Sequence, residues 1–282
     1  MRTILVPFCD DDRAEAALRT ALLIARKYDG HVEGLHAWRT PQIIAGEGVV
    51  FPSESLARLT DESKQFAASA HQRFDRVVKG DNVPYRDIGT AAGGVSCSWR
   101  EGEGVESEIV GDYGRLFNLM VMGRNELGTS VDWKATLEAA LFESGRPIIL
   151  APDTVPEVIG RHVVIAWNGA TETSRTIAVA MTFLRDAERV TVLTVEGGFV
   201  VPGPSAEDVA KHLTRAGIDA STMTVAPGRR SVGEAFVYEA AQAGGDLLLK
   251  GAFSNSRLRQ MIFGGATRDI IASSSLPVLL AR

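Results

Sequence analysis

The stretch richest in groups that could do chemistry is residues 251–268, GAFSNSRLRQMIFGGATR. Gly251 lets the chain turn sharply off the apolar run that precedes it. Gly264 and Gly265 break the apolar stretch at 258–263, and a helix can start at Ala266 and Thr267. The first amides of a helix lack intrahelical partners and carry the positive end of its dipole, so an anion is favoured there. The double glycine leaves no side chain to block its approach. Ser254, Asn255, Ser256 and Thr267 could add neutral hydrogen bonds, and Arg257 or Arg268 a charge. That combination suits phosphate; a plain loop whose glycines serve packing is the reading these residue types leave open beside it.

The elements that must hold this segment show themselves through repetition. Residues 3–38 and 162–197 share one plan: a short apolar run, a polar turn, a long amphipathic stretch and a second apolar run. Ala14, Ala17, Leu18, Ala21, Leu22 and Ala25 fall at helical spacing in the first copy, as do Ile177, Ala180, Met181 and Leu184 in the second. The strands at 4–8 and 163–167 are almost continuously apolar, as in a parallel sheet covered on both faces. The copies match again at 119–123 and 247–251, and at 145–152 and 275–282. Alternating strand and helix predicts an open parallel α/β sheet in each copy. In such sheets ligands sit beyond the carboxyl ends of the strands, where strand order reverses. A short proline-bearing bridge near residue 156 divides the copies, and the first carries an insertion at 41–80. That insertion reads as a Gly/Pro-rich apolar loop at 41–52, a candidate lid or packing segment, followed by a polar helix at about 53–79.

Composition excludes several classes. With 30 Lys+Arg against 35 Asp+Glu the net charge is -5, so no basic field invites nucleic acid or an anionic membrane surface. No apolar run reaches the roughly 18 residues of a spanning helix, and the opening residues read as a strand, not a signal peptide. Two cysteines, Cys9 and Cys97, supply neither a disulfide framework nor a four-cysteine metal site. A cytoplasmic protein is expected.

The paired copies, and residues 251–282 above all, resemble the universal stress protein family in its tandem two-domain form, over almost the whole chain outside 41–80. The resemblance implies an α/β fold of two doubly wound, adenine nucleotide alpha hydrolase-like domains, 1–154 and 159–282, each a five-stranded parallel sheet of order 3-2-1-4-5. It implies that the fifth strands pair antiparallel within the chain, and allows a further homodimer. Nucleotide-binding members carry G-x2-G-x9-G-(S/T) after the fourth strand. Here Gly251 and Gly264 match; Ser254 stands at the second glycine and Gly265 at the Ser/Thr, with Thr267 close by. The family's acid after the first strand is Asn168, and its adenine contact at the end of the second strand falls on Val195. In the first copy Cys9 replaces the acid and Glu126 the second glycine, a carboxylate that would repel phosphate. The implied function is stress-response regulation through ATP or another adenine nucleotide, with Mg2+ as a companion ion, held in the second domain. The first domain is then structural or takes another ligand. The rivals are a nucleotide-free interaction scaffold and a slow ATP hydrolase, the latter without an evident water-orienting base.

Other signals point to structure. Residues 102–107 lack the third glycine of a dinucleotide fingerprint. Residues 228–234 have P-loop glycine spacing, but Glu234 stands where a lysine is needed, leaving Arg229 or Arg230 as crevice-flanking charges or solvated residues. The five histidines form no metal-binding pair. Asp10, Asp11 and Asp12 read as helix caps and oppose a Cys9 thiolate, Cys97 as strand filling, and Asp246 as a turn or cap residue.

Overall fold

The computed structural model describes residues 1–38, 53–90, 93–125, 131–198, 200–252 and 265–282. Aliphatic and β-branched runs form strands, and the amphipathic stretches between them form helices. The first half comprises β1 (Thr3–Pro7), α1 (Asp12–Tyr28), β2 (His31–Trp38), α2 (Ser53–Gly80), β3 (Ser96–Glu103), α3 (Glu106–Tyr113), β4 (Leu119–Gly123), α4 (Val131–Phe142) and β5 (Ile148–Ala151). The second comprises β6 (His162–Ala166), α5 (Thr171–Val179), α6 (Met181–Asp186), β7 (Arg189–Val195), α7 (Ala206–Arg215), β8 (Ala220–Val225), α8 (Val232–Gln242), β9 (Leu247–Gly251), α9 (Gly265–Ser273) and β10 (Val278–Ala281).

The strands make one 10-stranded sheet, β3-β2-β1-β4-β5-β10-β9-β6-β7-β8. Each half contributes five parallel strands, and strand order reverses beside β1 and beside β6. β5 and β10 meet antiparallel, with Leu279 opposite Ile149, so each apolar strand pairs where it would otherwise be an exposed edge. Helices cover both faces, and the buried side chains fall into two clusters, one holding Ile4, Val6, Leu247 and Leu249, the other Leu5, Leu248, Leu280 and Ile270. This two-sided burial is why the strands read as continuous apolar runs.

Two local outcomes differ from the sequence pattern. The amphipathic stretch of the second copy is two helices, because the backbone at Ala180 (φ -89, ψ 4) leaves the helical region between α5 and α6. The polar helix of the insertion, α2, packs inward at its second half. Gly34 of β2 makes room for it, since a Cβ there would lie 2.5 Å from the Phe74 ring. The apolar loop at 41–52 lies outside the described residues.

The halves also touch beyond the sheet. Tyr28 meets Phe183 edge-on at 5.7 Å between ring centres. The Arg282 guanidinium lies 4.7 Å from the Phe142 ring. Arg124 donates to the Ser274 carbonyl at the end of α9 and pairs with Asp153 at 3.1 Å.

Candidate functional site at the strand ends of the second half

Parallel strands joined by helices deliver their carboxyl ends to one edge of the sheet. Asn168 follows β6, Val195 ends β7 and Gly251 ends β9, and these three strands are neighbours. α9 starts at the same edge, because a helix linking parallel β9 to β10 must run back against them. The fold thus gathers Asn168, Val195, Gly251 and the first turn of α9, which holds Gly265, Ala266 and Thr267. Ser254, Asn255, Ser256, Arg257 and Gly264 lie outside the described residues, as does Glu126 of the first copy.

Gly251 is a strand residue whose backbone avoids the left-handed region, so the expected reason for glycine is corrected. What it provides is close approach: a Cβ would sit 2.4 Å from the Thr173 amide nitrogen and 2.6 Å from the Glu172 carbonyl carbon. The first turn of α5 therefore rests directly on β9. Gly123 serves α1 in the same way, with Arg13 O 2.6 Å from its would-be Cβ. Gly265 is different: among the described residues nothing lies within 4 Å of its Cβ position. The helix begins there, one residue before the expected start, and Thr267 turns inward at 7% exposure.

Asn168 is already engaged. Its Oδ1 accepts from Thr173 Oγ1 at 2.9 Å and from the Ala170 amide at 3.3 Å, fixing the turn into α5. Its carbonyl accepts from the Val201 amide at 2.9 Å. The β7–α7 connection crosses this turn so closely that only glycine fits at Gly169 (φ +78), where a Cβ would meet Val201 O at 2.2 Å. Oδ1 is thus committed to the protein, and the Nδ2 amide is the part of the side chain left to a ligand. Val195 is buried at 2%, so it can offer only main-chain groups.

One residue of this edge escaped the sequence reading. Lys250, the penultimate residue of β9, is buried at 4% exposure, and desolvation pulls its pKa down to about 8 against the opposing charge of Glu172. The signal for it was a lone cation inside an aliphatic strand.

The corresponding edge of the first half is filled by its own side chains. Trp133 donates its indole N–H to Gly123 O at 2.8 Å, and Arg13 reaches Asn125 at 2.7 Å. The cavity left among Phe8, Cys9, Glu106, Met122 and Trp133 measures about 60 Å³, room for water and not for a nucleotide. The Cys9 thiol donates to Asp11 at 3.2 Å; although the residue is exposed, its sulfur is desolvated, and this, with Asp11, Glu106 and Asp10, pushes its pKa well above the ordinary range. It is no thiolate nucleophile. Of the three neighbouring acids only Asp11 caps α1, accepting from the Ala14 amide at 2.7 Å. Asp10 and Asp12 instead bind Arg73 of α2, Asp12 at 2.8 Å, and Ser69 donates to Asp10. The insertion helix is clamped over the first half's strand ends.

The remaining signals resolve into structure. Glu234 and Ser231 form a capping box at the start of α8, readable beforehand from the S-x-x-E spacing. Gly233 admits α9, since a Cβ there would meet Ala266 O at 2.5 Å. Arg230 lies over the Tyr238 ring at 3.6 Å. Asp246 accepts from the amides of Gly160, Arg161 and His162, tying β9 to the entrance of β6. His31 and His162 are buried and bonded to Ser and Thr hydroxyls. Among the described residues no three His, Cys, Asp or Glu side chains are grouped to hold a metal ion, and no helix is long and apolar enough to cross a membrane.

No protein-family model and no curated protein matches the chain by sequence. By structure it is similar to a universal stress protein from Archaeoglobus fulgidus DSM 4304, with a TM-score of 0.67 and 13% identity over 99% of this chain and 96% of that one. It is also similar to a protein of Pseudomonas aeruginosa UCBPP-PA14 assigned to the same group (TM-score 0.54, 14% identity, 100% and 93% covered). A functionally unknown protein of P. aeruginosa PAO1 is similar at a TM-score of 0.52 and 14% identity, with 100% and 92% covered. The class is thus a doubly wound α/β protein. More narrowly, the chain has the universal stress protein fold along its whole length.

Proposed function

We propose that this chain is a tandem universal stress protein, its domains 1–154 and 159–282, that binds an adenine nucleotide, ATP in the first instance, at the strand ends of the second domain. The observation that carries the assignment is the contrast between two equivalent edges. Among the described residues nothing crowds the start of α9 at Gly265 in the second half; in the first half Trp133, Arg13 and Asn125 stand at the corresponding edge. The first amides of α9, which lack partners within the helix, would meet the phosphates, with the Asn168 amide and Val195 main chain toward the nucleoside and Ser254, Asn255, Ser256, Arg257 and Gly264 as the further candidate contacts. With no carboxylate cluster among the described residues, Mg2+ would arrive with the phosphates. The first domain acts as a structural partner through β5 and β10. The role is regulatory: nucleotide binding stabilises one conformation or partner complex in the stress response. The cytoplasm, which keeps Cys9 and Cys97 reduced, is the compartment this implies.

The test is a thermal shift with Mg-ATP on the intact chain. Ligand at 100 times its dissociation constant adds about 2.7 kcal/mol of stability. A melting temperature unmoved by millimolar ATP, ADP and AMP would leave the scaffold reading, which the engagement of Asn168 by Thr173 and Val201 favours.

A further inference from the structure

The amino ends of β6, β7 and β9 share the edge of the second half opposite the candidate site, and a charged cleft of about 420 Å³ lies there. Its lining includes Arg161, His162, Glu188, Arg189, Asp219 and Asp246. His162 is buried and has a partner on each ring nitrogen. Nε2 stands 2.8 Å from Thr191 Oγ1, and Nδ1 stands 2.9 Å from Nη2 of Arg189, the first residue of β7. The same Nη2 donates at 2.9 Å to the carbonyl of Ala243, the C-cap of α8. A guanidinium can only donate, so Nδ1 must accept. The ring is therefore neutral, and its one N–H is on Nε2, donating to Thr191. One N–H of Nη2 goes to the imidazole and the other to the carbonyl, so a single nitrogen ties β6, β7 and the end of α8 together.

A proton on Nδ1 is incompatible with this arrangement. Donor would face donor, and two like charges would stand at hydrogen-bond distance. His31 shows the contrast: its ring lies between the Ser96 and Ser98 hydroxyls, which can turn to accept or donate, so it can gain a proton and keep both neighbours. Arg189 cannot turn into an acceptor, but it can leave, because the residue is exposed. The carbonyl it releases suits the new Nδ1–H, and the Gly244 and Ala243 carbonyls do favour the protonated ring. The other charges around the cleft are already placed. Asp246, in the turn before β9, accepts from the Gly160, Arg161 and His162 amides; Arg161 pairs with Glu188 at 2.8 Å; Asp219, before β8, is exposed.

We propose that His162 and Arg189 form a proton-operated latch: protonation of His162 expels the Arg189 guanidinium into the cleft, and the imidazolium takes the Ala243 carbonyl in its place. The switch changes the charge that this edge presents, from a guanidinium tied to the protein to a free one. Burial first, and Arg189 next, hold the His162 pKa below the ordinary 6.5, with the Gly244 carbonyl, Asp246 and the Ala243 carbonyl opposing. The latch is thus shut at neutral pH and opens as the solution turns acidic. It is independent of the nucleotide assignment above.

The test is nuclear magnetic resonance of the full chain, following the imidazole nitrogens and the arginine side chains from neutral to acidic pH. At neutral pH the expected signal of His162 is the neutral ring with its proton on Nε2; a proton on Nδ1 there overturns the proposal. On acidification the Arg189 side-chain resonances should step to solvent-exposed values at the His162 midpoint, below 6.5. Arg189 resonances that pass through that midpoint unchanged overturn the expulsion. In Arg189→Met the His162 midpoint should rise by about one unit, tenfold in proton affinity, while that of His31 stays where it was. A His162 midpoint unmoved in the variant also overturns the latch. Should the variant fail to fold, the tautomer and the Arg189 step in the wild-type protein decide it.

Discussion

Gly251 and Thr173 stand so close that no side chain fits between them: a Cβ on Gly251 would lie 2.4 Å from the Thr173 amide nitrogen and 2.8 Å from its Oγ1. The same Oγ1 donates to Asn168 Oδ1 at 2.9 Å, so one contact locks the end of β9, the start of α5 and the turn after β6.

Gly251→Ala must push the α5 backbone off the sheet, at a cost of about 3 kcal/mol. Denaturant unfolding should show a lower midpoint with an unchanged slope. Gly123→Ala, which meets Arg13 backbone at 2.6 Å, should cost a similar amount. The two differ in function: only Gly251→Ala weakens nucleotide binding, and equal loss from both would place the ligand elsewhere.

Lys250→Met should stabilise the ligand-free protein at neutral pH. The folded-state pKa of about 8 lies below the ordinary 10.5, so the unfolded chain binds more protons between those values. Stability from this residue is full above pH 10.5 and is lost as pH falls through 8. At pH 7 its charged form is a net cost of roughly 3 kcal/mol, since each unit is worth about 1.4 kcal/mol. Chemical denaturation at pH 7 and pH 10 should show the variant's advantage shrinking at the higher pH. An advantage that grew with pH would contradict the sign.

Arg73→Met leaves Asp10, Asp12 and Glu15 facing one another without their shared cation. The Asp10 pKa is held down by the Ser69 hydrogen bond first and by Arg73 next. Partial exposure limits the loss to about 1 kcal/mol at neutral pH. The clearer effect is on α2, which should become more open to proteolysis. A depressed carboxylate pKa gives stability that is present above pH 3.8 and lost as pH falls through the folded value, and this acid limb should flatten in the variant.

His31 sits between Ser96 at 3.0 Å and Ser98 at 2.8 Å, and Ser98 in turn donates to the buried Glu33 at 3.0 Å. Desolvation lowers the His31 pKa below 6.5, Glu33 and Asp87 opposing. The neutral ring is the folded form, so its stability contribution is full above pH 6.5 and drains away as pH falls through the folded value. His31→Gln should lessen the loss of melting temperature between neutral and mildly acidic pH. His162, lowered chiefly by desolvation and then by Arg189, predicts the same direction for His162→Gln.

The sequence by itself determined the repeated plan, because a strand buried on both faces and a helix buried on one each need a periodicity that can be read without a neighbour. The amphipathic spacing of Ala14 to Ala25, the polar helix of the insertion and the capping box of Ser231 and Glu234 are of this kind, although the break at Ala180 was not legible. It also marked Gly251 as special, but not for the close approach of α5 that its missing Cβ allows. Only the tertiary structure decided what depends on residues far apart in the chain: Thr173 against Gly251, Val201 across Asn168, Arg73 on Asp10, and Trp133 filling the first half's edge. Whether Lys250 lies in water or between a sheet and α9 was equally invisible beforehand, because burial belongs to the packed layers and not to the strand that carries it.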